Sequence, residues 1–87
     1  MILRQKEPAP FSQALHAAGL AFLQALDDVE PTDADACEKA VHSALRRASA
    51  KAALTPFDVW RAALEIERDP LERLRPAVGP DWQPNLT

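Results

Sequence analysis

The placement of proline constrains this chain more than any other feature. Pro8, Pro10, Pro31, Pro56, Pro70, Pro76, Pro80 and Pro84 punctuate it and leave residues 11–30 and 32–55 proline-free. A helix interior excludes proline because the ring removes an amide donor and collides with the preceding turn. Two long stretches rich in alanine and leucine can therefore become helices, and shorter elements must follow Pro56. No strand pattern is visible. The expected fold is all-α, a small helical bundle of three main helices over residues 11–28, 33–53 and 56–68. A one-turn helix over 70–75 and an extended Pro-rich tail over 76–87 complete it. Residues 1–10 are expected as a flexible N-terminal arm and 11–75 as a single helical domain, with the first two helices antiparallel and the third crossing them.

At ~100° of rotation per residue, Phe11, Leu15, Ala18, Phe22, Leu26 and Val29 share one face of the first helix, opposite Gln13, His16, Gln24 and Asp27. Leu20 projects from that polar stripe with Leu23 at its margin. Thr32 is the expected N-cap of the second helix, whose seam is Ala34, Cys37, Val41, Ala44, Leu45, Ala48 and Ala52. Alanine at such positions lets two helix backbones approach closely. The third helix has the clearest local signal. Thr55 caps it, Pro56 takes the first helical position and Asp58 follows three residues after the cap. Phe57, Trp60, Ala63 and Leu64 are expected inward, with Val59 and Ile66 extending that face. Asp69-Pro70-Leu71-Glu72 repeats the start signal, Leu71 and Leu74 should reach the core, and Pro76 should stop the turn.

Charge and residue inventory then exclude several classes of function. Thirteen acidic residues against ten lysines and arginines give a formal charge of −3, whereas a general nucleic-acid binder needs a basic surplus. Arginine outnumbers lysine seven to three and tyrosine is absent, a bias typical of GC-rich bacterial or phage genes. The single cysteine, Cys37, cannot form an internal disulfide and is expected as a small buried hydrophobe. No apolar window approaches the ~20 residues of a membrane span, and no signal-peptide pattern opens the sequence, so a cytoplasmic protein is expected. Gly19 and Gly79 are far apart and form no phosphate loop. Glu38 and His42 stand one turn apart, as a solvated or salt-bridged pair, and with Cys37 pointing elsewhere they fall short of the four ligands of a structural zinc site. No catalytic residue, cofactor or metal is assigned, and the protein is not expected to be an enzyme.

A three-helix core in 87 residues with alanine-rich seams buries little area per residue, a shortage often relieved by a partner or by oligomerisation. The expected function is that of a small accessory or regulatory protein that binds another protein, as inhibitor, adaptor, cochaperone or minor subunit. Leu20, Leu23 and Trp82 are the candidate partner-binding residues, and a homodimer through helices one and two is a further possibility. Trp82 has two competing placements: folded back onto the helices with Val78 and Leu86, or anchoring a partner on the surface that exposes Leu20. The alternative function is a small nucleic-acid-binding regulator using the basic face of helix two, Lys39, His42, Arg46, Arg47 and Lys51. Dipole complementarity and the Asp35–Lys39 spacing explain those bases more simply. A helix-turn-helix use of the third helix is disfavoured by its Asp58, Glu65 and Glu67.

Overall fold

The computed structural model describes residues 10–86, which are all-helical or irregular with no strand. Helix α1 spans Pro10–Leu26, α2 Ala34–Ala52 and α3 Pro56–Ile66; a 3-10 turn over Glu72–Leu74 leads into a one-turn helix α4, Arg75–Val78. The expected arm over residues 1–10 lies outside the described residues except for Pro10, which opens α1. Helix α1 packs on both α2 and α3, and α2 carries α4 on another side.

Each helix end has a local cause. Thr32 does not cap α2; its amide donates to Glu30 O at 2.9 Å in a tight turn. Asp33 takes the cap, extended at φ −138° and ψ 130°, and its carboxylate accepts from Ala36 N at 2.8 Å. Both residue types cap well, so the turn geometry decides between them. Helix α2 ends on Ala53 in the left-handed region, φ 58°, and Leu54 N donates back to Ser49 O at 2.8 Å. Glycine is the usual residue there, and alanine costs about 1 kcal/mol. Helix α3 starts with the full reciprocal cap: Asp58 N donates to the Thr55 hydroxyl at 3.1 Å and Thr55 N to the Asp58 carboxylate at 3.4 Å. It closes at Ile66, two residues before the expected end.

The core joins Phe22 and Leu26 of α1, Cys37, Val41 and Leu45 of α2, Val59 and Trp60 of α3, and Leu71 and Leu74 beyond them. Phe22 and Trp60 meet edge to face with ring centroids 6.0 Å apart, a favoured aromatic geometry. The α2 seam is largely as expected, but Ala34 is exposed and Ala52 only half-buried, because both lie in end turns. Ser49 is buried in the seam and donates its hydroxyl to Arg46 O at 3.0 Å.

Helix α3 is rotated roughly a quarter turn from the expected register. Val59, Trp60, Ala62 and Ala63 are buried, whereas Phe57 and Leu64 are 49% and 43% exposed. The cause is a close approach of backbones. A Cβ added at Gly19 of α1 would stand 3.0 Å from the Ala62 side chain and 3.1 Å from the backbone of Ala62 and Ala63. Turning Phe57 and Leu64 inward would replace those alanines with large side chains and force the helices apart.

Pro76 does not terminate the short helical stretch. It lies in the first turn of α4, where a proline's missing amide has no intrahelical role. Gly79, at φ 100°, then turns the chain into the tail. Over 79–86 the tail is irregular and folds back: Trp82 and Leu86 are half-buried against the core and Pro84 is buried.

Candidate functional site

Gly19 of α1 packs closely on Ala62 of α3. An open groove of about 860 Å³ lies between α1 and α3, with Leu15, Ala17, Leu20, Ala62 and Ile66 among its lining. A second recess of about 530 Å³ shares Leu20 and Ile66 with the first and continues past Leu23 towards Pro70 and Leu74. The two recesses adjoin at Leu20, which is 37% exposed.

The sequence-predicted partner residues are thus divided. Leu20 and Leu23 lie together in the groove, while Trp82 lines neither recess. Its ring meets His42 edge to face at 5.7 Å between centroids. Beside it, Asn85 N donates to His42 Nε2 at 2.8 Å. No Glu38–His42 ion pair forms; the imidazole is taken by the tail instead.

Two arginines that carry no sequence motif organise this end of the molecule. Arg75 donates from Nη1 to Trp82 O at 2.6 Å and Gly79 O at 3.2 Å, and from Nη2 and Nε to the Asp69 carboxylate at 3.1 and 3.2 Å. The hydrogen bond from Arg75 is the main cause holding the Asp69 carboxyl below its ordinary range. Arg73 donates to Leu26 O, which also accepts from Val29 N, and, at 2.9 Å, to Val29 O, placing a cation just past the C-terminal end of α1.

On the basic face of α2, Lys39 pairs with Asp35 at 3.2 Å in the expected i,i+4 geometry. Arg46, Arg47 and Lys51 are exposed, and His42 is half-buried under the tail. Cys37 is fully buried and its thiol lies 3.2 Å from Glu30 O, an orientation in which it donates. Among the described residues no group of three or more His, Cys, Asp or Glu side chains could hold a metal ion. No described helix is long and apolar enough to cross a membrane. A separate apolar spot, which sequence reasoning placed in the core, is formed by Phe57 and Leu64, seven residues apart on one side of α3, with the Arg61 guanidinium 5.7 Å from the Phe57 ring centre.

Compared with known proteins, the chain matches no family model, no curated sequence and no solved structure.

Proposed function

We propose that this is a small accessory or regulatory protein that acts by binding another protein through the α1/α3 groove. One observation carries this reading: Leu20 stands exposed where two recesses beside α1 share it and Ile66 as lining. Contiguous apolar surface along a groove marks an interaction site more often than a scattered single leucine does. The face supports recognition better than chemistry: Ser12, His16 and Asp58 line the first recess, but the Asp58 carboxylate accepts from Thr55 N and no hydrogen bond joins the three.

The basic face of α2 supports nucleic-acid binding less well. Two of its five members are already engaged, Lys39 by Asp35 and His42 by the tail.

The test is capture of partners from the native host by the full chain and by Leu20→Glu. The expected result is a specific protein captured by the wild type and lost from a variant that still melts cooperatively. Equal capture by both removes the groove from the reading.

A further inference from the structure

We propose that the occupant of the α1/α3 groove is a basic amphipathic helix of a partner protein, an inference that deepens the protein-binding reading above and rests on it. Three observations define that chemistry. The first is the floor. Leu15, Leu20, Leu23, Ala62 and Ile66 present aliphatic carbon over two helices. The far wall of the second recess is the connection from Glu67 into the 3-10 turn Glu72–Leu74, but the first recess lies between two α-helices whose backbone donors and acceptors are consumed internally except at the ends. An extended peptide laid here would lose water from its own amides and find no ladder to replace it. A helix satisfies its own backbone and offers a ridge of side chains at i, i+3/i+4 and i+7.

The second observation is the charge of the rim. Asp27, Glu67 and Glu72 border the recess at the C-terminal end of α1, and Asp58 and Glu65 the recess towards its start. Asp69 is matched by Arg75. The arginines lining the two recesses are Arg61, placed over the Phe57 ring, and Arg73, turned onto the Leu26 and Val29 carbonyls. The acidic surplus is greatest at the recess beyond Leu23. A partner helix with lysine or arginine flanking its apolar ridge meets that surplus, and an acidic helix is repelled by it.

The third observation separates a partner from a second copy. The outward face of α2 is basic, with Lys39, Arg46 and Arg47, but Ser43 and Ala50 lie between those residues. That face has no leucine-sized ridge; α3 does expose Phe57 and Leu64, but its Asp58 and Glu65 and the following Glu67 outnumber Arg61 and Arg68 and would meet an acidic rim, so the complementary helix is assigned to another protein.

The probes are two synthetic 18-residue helical peptides with the same leucine ridge, one flanked by lysine and the other by glutamate. Binding to the full chain is followed by calorimetry at low and high salt. The expected result is saturable binding of the lysine peptide, weakened by added salt. Leu20→Glu should weaken it by about tenfold or more, equivalent to ~1.4 kcal/mol. The double variant Glu67→Lys, Glu72→Lys changes two exposed positions, so its fold is retained. It should weaken the lysine peptide similarly and admit the glutamate peptide. Equal binding of both peptides by the wild type would overturn the charge assignment. Failure of both peptides, while host-partner capture still depends on Leu20, would overturn the helical occupant but keep the groove. A wild-type dimer that Leu20→Glu converts to monomer would assign the groove to a second copy. Partner capture indifferent to Leu20→Glu would remove the groove from the protein-binding reading, and this occupant with it.

Discussion

Helix α3 and the segment from Arg75 to Leu86 are separated by only eight residues, yet opposite means hold them. Helix α3 is started by two hydrogen bonds between Thr55 and Asp58, three residues apart. The tail has no regular ladder of its own. Its carbonyls at Gly79 and Trp82 are served by one guanidinium, and its Asn85 amide by an imidazole 43 residues earlier. The contrast follows from backbone accounting. A helix satisfies its amides internally and needs only its ends closed, whereas an irregular segment packed on a core must borrow donors and acceptors from distant side chains.

The strongest way to break this comparison is to remove what anchors α3 to the rest. Trp60 is 6% exposed and packs on Phe22, so Trp60→Ala should cost ~3–5 kcal/mol. That is a large part of the ~5–15 kcal/mol that stabilises a small domain. Thermal melting checks it, and an unchanged transition would show that α3 is not held by this ring.

Arg75→Ala tests the tail. It strips partners from two carbonyls and from Asp69, and a loss of ~1.5–3 kcal/mol is expected for charge-assisted bonds. Hydrogen exchange should accelerate over 79–86 and stay slow in the middle of α3. Tail amides as protected as in the wild type would contradict the role given to this guanidinium.

A smaller effect, about 1 kcal/mol, is expected for Thr55→Ala, through loss of one capping bond. Faster exchange should be confined to the first turn of α3 and leave the tail alone. If the tail loosens equally, the two regions are one cooperative unit and the comparison fails.

The smallest effect is acid sensitivity at Asp69. Its carboxyl is held below the ordinary range by the Arg75 hydrogen bond. The stabilisation is therefore complete above the unfolded value of ~3.9 and disappears as pH falls through the lower folded value. The Asp69 side chain is 37% exposed, so solvent screening keeps the contribution below ~1 kcal/mol. Following the Trp82 indole resonance through that acid range should show the tail loosening first. Asp69→Asn should abolish this dependence, and Thr55→Ala should preserve it.

What could be read from the residues alone was of short range. The two proline-free stretches did become α1 and α2, and Thr55-Pro56-Phe57-Asp58 did start α3, because capping needs only residues within one turn. Cys37 and the α2 seam were legible from a helical period against a charged opposite face. Leu20 was visible as an apolar residue in a polar stripe, but its groove was not. The groove lies beside the Gly19–Ala62 contact, and nothing in α1 alone identifies the helix that will cross there.

Secondary structure, caps and the all-α class were thus determined by the sequence through contacts spanning three or four residues. The rotation of α3, the seat of Trp82 and the use of Arg73 and Arg75 were decided only by the tertiary structure. Helix α3 has apolar residues on most of its circumference, so its own pattern permits more than one inward face. The face that won, Val59 with Ala62 and Ala63, is the one whose small side chains let two backbones meet at Gly19. The close contact at Gly19 leaves no room for Phe57 and Leu64 between the helices, and they remain outside.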